Sequence, residues 1–272
     1  MTKNSTAVGE LRELLGTLLP GNRSYRTMVR PEQQARTLEL LRETLSPESF
    51  YFVFDLLSGE LAQVNGVEKA LGYPTREFTV ARYLNCIHPG QAIQFNMIAH
   101  SMYKVLCKGI FKLHFFTNRY ISLVGLRHYS GEYIVFKKTT SVFQYDDQNR
   151  LLAQLNEFTR VDVYENSPMK PRIAEMTGLQ KDEFERRVFA MTLQSFAEKK
   201  YFSGRELDVL RAYAANEGIT TRDLAHLLGV EPSTIDTYNK RILAKAKDIF
   251  THAFNEAREV ALYLKRERII AS

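Results

Sequence analysis

Between Phe202 and Ala246 one helix-start pattern occurs three times, and it constrains this part of the chain more tightly than any other feature. Phe202, Ser203 and Leu207, then Ile219, Thr220 and Leu224, then Val230, Glu231 and Ile235, each set an apolar residue before a cap position and a second one five residues on. In a helix that starts after the cap, the two apolar side chains meet as a hydrophobic staple. The first two copies add an acidic residue three positions after the cap, Glu206 and Asp223, as a capping box requires. Gly218 and Gly229 stand in the breaks before the second and third starts, where a helix commonly ends in a left-handed residue. Pro232 follows the third cap, where its missing N–H has no partner to lose. Three short helices are predicted, and only a tight turn at Leu228, Gly229 and Val230 separates the last two. That spacing is a helix-turn-helix, whose natural destination is a DNA major groove.

Residues 232–246 on a helix place Ile235, Tyr238, Ile242 and Ala246 along one inward stripe. The opposite face carries Ser233, Asp236, Thr237, Lys240 and Ala244, with Arg241 on its flank. Lys240 and Arg241 suit guanine edges or phosphates, Thr237 offers a hydroxyl or meets a thymine methyl, and Asp236 accepts from cytosine N4. From Lys240 to Lys247 the chain has four basic residues and no acidic one. Lys245 and Lys247 fit phosphate contacts or the negative end of the helix dipole better than base reading.

These residues resemble the DNA-binding domain of the LuxR-type family over about forty-five positions. The resemblance rests on Ser203, Arg205, Glu206, Val209 and Leu210; on Gly218, Thr220, Thr221, Arg222, Asp223, Leu224 and Ala225; on Leu228, Val230, Thr234 and Ile235; and on Ile242 and Lys245. It implies a four-helix fold whose third helix enters the major groove and whose fourth is a dimer contact. It also implies base contacts from the turn that follows Thr234, Ile235, Asp236, Thr237 and Tyr238. Asp236 and Tyr238 stand where the family usually has Lys and His, so the base preference need not follow the family's. The implied DNA-facing set is Ser233, Thr234, Asp236, Thr237, Lys240, Arg241 and Lys245.

Upstream, the periodicity changes. Residues 1–46 read as two amphipathic helices, with Val8, Leu11, Leu15 and Leu18 on one stripe and Ala35, Leu38, Leu41 and Leu45 on the other. Such stripes serve intrachain packing more often than a dimer seam. Residues 47–163 then alternate as strands: 50–55, 61–65, and three longer ones near 119–129, 133–145 and 151–161, with a helix at 91–107. Turn residues separate them at Ser58 and Gly59, at Ser130 and Gly131, and from Asp146 to Asn149. The strands are apolar on both faces, so the outer face of the sheet needs a cover, which the N-terminal helices are expected to provide.

This segment resembles a PAS sensor domain over about 110 residues. The matching pieces are Val53, Asp55, Gly59, Leu61, Val64 and Asn65; Leu71, Gly72 and Tyr73; Ile87, His88 and Pro89; Arg127, Gly131, Glu132 and Tyr133; and Thr159, Arg160, Val161 and Asp162. The fold class expected is therefore an α+β N-terminal PAS-like domain, an antiparallel sheet with helices, followed by an all-α helix-turn-helix domain. Residues 164–201 are expected as a connector, broken by Pro168 and Pro171 and then helical from Asp182 to Lys200, and 202–272 as the helix-turn-helix with an extended last helix. No cofactor is expected. Asn85 and Cys86 are followed by Ile87, His88 and Pro89 rather than by the Arg and Phe of the flavin-adduct motif, and His88 and His100 read as structural.

Composition narrows the function classes. The net charge of +6 is mild, and residues 181–272 hold 16 basic against 14 acidic side chains, so only the run at Lys240–Lys247 favours nucleic acid. Cys86 and Cys107, without metal-like spacing, suggest free buried thiols in a reducing compartment. Neither a leader-like start nor an apolar run of about 18 residues is present, so a cytoplasmic protein without a membrane partner is expected. An enzyme is not expected either, because no phosphate-cradling glycine loop, zinc cluster or nucleophile–histidine arrangement stands out. The resulting expectation is a sequence-specific DNA-binding transcription regulator. Its partners would be double-stranded DNA and a second copy of itself, with a small-molecule ligand and RNA polymerase as further candidates. The alternative is a signalling adaptor whose helix-turn-helix no longer binds DNA.

Overall fold

Ser49–Asp55 forms β1, and its side chains are buried on both sides of the strand: Phe50, Phe52 and Phe54 on one face, Tyr51 and Val53 on the other. The rest of the N-terminal unit is arranged around this strand. The computed structural model describes residues 3–165, 169–176, 178–199, 201–250, 254–266 and 269–270. Two helices come first, α1 (Lys3–Leu18) and α2 (Pro31–Thr44), then β1 and β2 (Glu60–Asn65). Short helices α3 (Val67–Leu71) and α4 (Val80–Cys86) lead to the longer α5 (Pro89–Leu106). Strands β3 (Arg119–Arg127), β4 (Tyr133–Tyr145), β5 (Leu151–Val163) and β6 (Arg172–Ala174) follow, and then α6 (Gly178–Glu198), α7 (Gly204–Ala215), α8 (Thr221–Leu228), α9 (Pro232–Ile249) and α10 (Ala257–Arg266). The chain divides into two compact units, one of Met1–Ala92 and Met102–Arg186, the other of Ile93–Ser101 and Arg187–Ser272.

In the first unit the six strands form one antiparallel sheet in the order β2-β1-β5-β4-β3-β6. On one face Phe50 stacks on Phe158 with ring centroids 4.3 Å apart and meets Phe136 edge-on at 5.5 Å. Tyr83 of α4 stands edge-on to Phe52 at 5.0 Å. On the other face Tyr51, Val53, Phe143, Ala153 and Leu155 pack with Leu38, Leu41 and Leu45 at the end of α2. An outer cover was required by the two-faced strands, and α2 supplies it. The first helix goes elsewhere: α1 packs against α4, burying Leu11 and Leu15, and its Arg12 pairs with Glu60 of β2. Leu19 is buried with them, whereas Leu18, expected on the stripe, is half-buried.

The short motifs of this unit do turn and cap work. Asp55 accepts from the Leu57 N–H and the Ser58 hydroxyl, shaping the β1–β2 turn that closes on left-handed Gly59. Gly72 ends α3 in the left-handed region, and the Tyr73 hydroxyl donates to the Arg127 carbonyl at 3.0 Å. His88 caps α5, its Nδ1 accepting from the Gly90 N–H, while its ring stacks on Tyr164 at 4.0 Å. Gly125 makes room for that stack, since a Cβ there would lie 2.5 Å from the Tyr164 ring.

Three features depart from the sequence reading. β6 lies within the stretch read as a connector and pairs with β3 at the sheet's far edge. α5 is shared, its Ile93–Ser101 portion clustering with the second unit, and α6 likewise spans the division at Arg186. The apolar stripe after α9 does not run on as one helix, because α9 ends at Ile249 with Phe250 extended, and α10 begins only at Ala257. Asn166, Ser167, Pro168, Lys200 and Ala253, which entered the reading of the connector and the tail, lie outside the described residues.

A buried ion pair within the β4–β5 hairpin lies where the α1–α2 loop is strapped to that hairpin. Asp146, fully buried, holds the Arg150 guanidinium at 2.6 Å and accepts from the N–H groups of Gln148 and Arg150. Arg150 lies over the Tyr25 ring at 4.9 Å, the Asp147 N–H donates to the Arg26 carbonyl, and Gln144 makes two hydrogen bonds with the Val29 backbone. Removing one partner of such a pair leaves a buried charge uncompensated. Asp146→Ala is therefore expected to lower the stability of the N-terminal unit by about 3–5 kcal/mol, read from its urea midpoint. An unchanged midpoint would show that the strap contributes nothing.

Candidate nucleic-acid interface

The three helix starts of the second unit form at the residues that carry their signals. Ser203 accepts from the Glu206 N–H at 3.3 Å, and Glu206 Oε2 accepts from the Ser203 N–H at 2.6 Å, a complete capping box. Thr220 accepts from the Asp223 N–H, but the shorter Asp223 carboxylate takes the Thr220 hydroxyl at 2.6 Å instead of reaching the backbone. Glu231 caps α9 by position only, with Pro232 next to it and no side-chain hydrogen bond. The staple residues Phe202, Leu207, Ile219, Leu224 and Ile235 are buried and Val230 is half-buried. Gly229 ends α8 in the left-handed region, with the Val230 N–H donating back to Ala225. Gly218 does not take that conformation. Its N–H donates to Asn216 Oδ1, so a side chain rather than a left-handed residue shapes the turn.

These starts fix which face of α9 looks outward. Ile235, Ile242 and Ala246 are fully buried and Tyr238 half-buried, while Ser233, Asp236, Thr237, Lys240, Arg241, Ala244 and Lys247 are exposed. Thr234 is half-buried at the edge of this face. The Thr237 hydroxyl donates to the Ser233 carbonyl at 3.0 Å, which leaves its methyl and its oxygen lone pairs outward. No ion pair joins Asp236 to Lys240 among the described residues, although they stand one turn apart. The exposed Arg222 and His226, four apart on α8, add a polar edge that the reading of α9 alone does not include.

Lys245 differs from the other basic residues. It is half-buried, and its ammonium donates to Glu206 Oε2 at 2.6 Å, so one oxygen serves both the α7 cap and the α9 lysine. Sequence reading offered Lys245 to phosphate; the structure gives it a partner thirty-nine residues away. α10 is also engaged within the chain. It packs on α7 and α9 with Ala257, Val260, Ala261 and Leu264 buried, while Arg258 donates to the Ile219 carbonyl and Lys265 to the Ala214 carbonyl. The apolar face of α10 is thus turned inward.

Among the described residues no group of three His, Cys, Asp or Glu side chains is placed to hold a metal. Both cysteines are buried, and burial pushes the Cys107 thiol up to about 12. No described helix is long and apolar enough to cross a membrane.

Burial pushes the Glu206 carboxyl up, but hydrogen bonds from Lys245 and Ser203 outweigh it and hold the group below its ordinary value. The stabilisation this represents is complete above the ordinary carboxylate range and is lost as pH falls through the lowered value. The Lys245 side chain is 39% exposed, so solvent screens part of the pair. Glu206→Ala is expected to destabilise the second unit by about 2 kcal/mol, mostly through the lost cap and an orphaned N–H. The advantage of wild type over Glu206→Gln in thermal unfolding should shrink between about pH 6 and pH 3; a constant gap would contradict the assigned role.

The chain matches no protein-family model and no curated protein. Among solved structures it is similar to a phage VqmA in complex with DPO, at 14% identity over 88% of this chain and 91% of that one, with a TM-score of 0.31. It is similar to the Vibrio cholerae VqmA dimer without target DNA, at 14% identity over 88% of both chains and a TM-score of 0.26. It is also similar to Escherichia coli SdiA, at 14% identity over 97% of this chain and 99% of that one, with a TM-score of 0.27. At these identities and scores the likenesses carry no information on what this chain binds.

Proposed function

We propose that the protein is a sequence-specific DNA-binding transcription regulator of LuxR type, with its N-terminal PAS-like unit as the sensor. The observation that carries this reading is the outward face of α9, where Ser233, Thr237, Lys240 and Arg241 are exposed opposite a fully buried stripe. A helix that begins at Pro232 and packs its apolar stripe inward, with its basic and hydroxyl side chains facing solvent, suits major-groove entry. In this reading Lys240 and Arg241 take guanine edges or phosphates, Thr237 a thymine methyl, and Asp236 a cytosine amino group. Ser233 and Thr234, near the helix start, supply further hydroxyls. Lys245 is left out of the base-reading set because Glu206 already holds it. A change in the sensor would reach α9 through α6, which the two units share. Two copies would read half-sites about one helical turn apart.

The test is selection from a random double-stranded DNA pool at about 150 mM salt, with wild type, Lys240→Ala and Arg241→Ala in parallel. An enriched palindrome is expected with wild type. Lys240→Ala should lose about 1–3 kcal/mol on that site and relax one base position. Affinity should also fall steeply as salt rises, because phosphate neutralisation releases counterions. Absence of salt-dependent binding to any DNA would favour the adaptor alternative, in which the exposed Asp236 repels the backbone.

A further inference from the structure

α9 buries an apolar stripe against the rest of the second unit, and one polar side chain interrupts that stripe. Asn239 stands four residues after Ile235 and three before Ile242, both fully buried, so it projects on the same side of the helix. Its Nδ2 donates to the Tyr213 hydroxyl of α7 at 3.1 Å. Its Oδ1 is buried with no hydrogen-bond partner among the described residues. An apolar residue at this position would avoid the penalty that burial without a partner imposes on an amide oxygen.

Tyr213 is itself held in place. It is buried, and the Arg258 guanidinium of α10 lies over its ring at 5.4 Å. Arg258 Nη2 in turn donates at 2.7 Å to the carbonyl of Ile219, the residue before the Thr220 cap of α8. The ring is thus tied to α10 and, through Arg258, to the entry of α8, and its hydroxyl gives α9 one polar point to meet.

The apolar residues of α9 alone do not settle how the helix is rotated. Tyr238 and Asn239 are neighbours and both half-buried, one on either flank of the line through Ile235, Ile242 and Ala246. Turning the helix toward Tyr238 keeps the apolar stripe covered but carries the amide away from Tyr213. A polar Asn in an apolar seam fixes register in this way, at a cost in stability. The same rotation would carry Lys240 and Arg241, which directly follow Asn239, around the outer surface. Side chains that must meet a ligand in one geometry tolerate only about 10–20° of error.

We propose that the Asn239–Tyr213 hydrogen bond is the register key of the DNA-reading helix: Asn239 is a positioning residue that sets the rotation of α9 and so which bases Asp236, Thr237 and Lys240 reach. This deepens, and rests on, the reading of α9 as the helix that enters the major groove. Asn239 itself touches no DNA and acts through the side chains of the opposite face.

The test uses the full chain with Tyr213→Phe and Asn239→Leu combined, which removes both partners and leaves neither orphaned. The double variant is expected to unfold at a temperature no lower than that of wild type. A variant that unfolds lower, or does not fold, makes the pair a support of the fold and overturns the assignment. In isotope-labelled protein the amide resonances of α9 should be single and sharp in wild type and broadened or split in the double variant. Single, sharp resonances in both proteins overturn the register key. On the site selected from the random pool, the double variant should lose about tenfold of the wild-type preference over random DNA, with binding to random DNA unchanged. Equal preference in the two proteins overturns the positioning role. Wild type without preference for any DNA, alongside broadened α9 resonances in the double variant, retains the register key and overturns the DNA reading.

Discussion

A strand that is apolar on both faces has no side to give to water, and the N-terminal unit is organised around that fact. Tyr51 and Val53 face one way while Phe50, Phe52 and Phe54 face the other, so β1 is stable only between two layers. The end of α2 provides one layer through Leu38, Leu41 and Leu45. The other is aromatic, built from Phe78, Tyr83, Phe136 and Phe158 around Phe50 and Phe52. With β1 held on both sides, β5 and β4 follow by pairing, and the buried Lys138 and Ser122 fall on the aromatic side. The interior thus includes polar side chains among its hydrocarbon ones.

In the second unit a single carboxylate has an equivalent role. Glu206 closes the α7 cap and at the same time holds Lys245 of α9, so the start of one helix and the far half of another share an anchor. The Tyr213 hydroxyl accepts from Asn239, and Arg258 lies over the Tyr213 ring at 5.4 Å, so α7 is the common support for α9 and α10. The inward half of α9 is therefore strongly determined, and its outward half can vary without structural penalty. Asp236 and Tyr238 illustrate the two cases: the exposed Asp236 is compatible with the fold, and the half-buried Tyr238 fills part of the packed side.

Local chemistry was legible in the sequence, and long-range partnership was not. The caps at Ser203 and Thr220, the left-handed Gly229 and the turn from Asp146 to Asn149 depend on residues within about four positions, and they form where their signals stand. Strand limits were similarly readable from β-branched and aromatic runs. β6 escaped notice because three residues between a proline and a glutamate have no periodicity of their own; only the edge of β3 makes Arg172–Ala174 a strand. Lys245 was read toward phosphate or its own helix end, and its bond to Glu206 was not legible because that partner belongs to another helix. Lys138 escaped for a different reason. Alternation with Phe136 places it on a buried face, but a lysine in a strand ordinarily signals the wet side. For α10 the 3.6-residue period located the apolar face and left open what covers it, which turned out to be α7 and α9.

The strap between the α1–α2 loop and the β4–β5 hairpin has a consequence for the order in which the chain acquires its shape. Val29 waits for Gln144, 115 residues later in the chain, and Ser49 at the head of β1 pairs with Thr159. During synthesis at about 5–20 residues per second, residues 26–55 therefore emerge several seconds before their partners exist. A two-faced apolar strand exposed for that time is prone to association. Closing such wide loops also slows folding, as the dependence of rate on sequence separation requires. By contrast, the caps of α7 and α8 join residues only three positions apart. The residues that wait longest for their partners are accordingly among the first ones made.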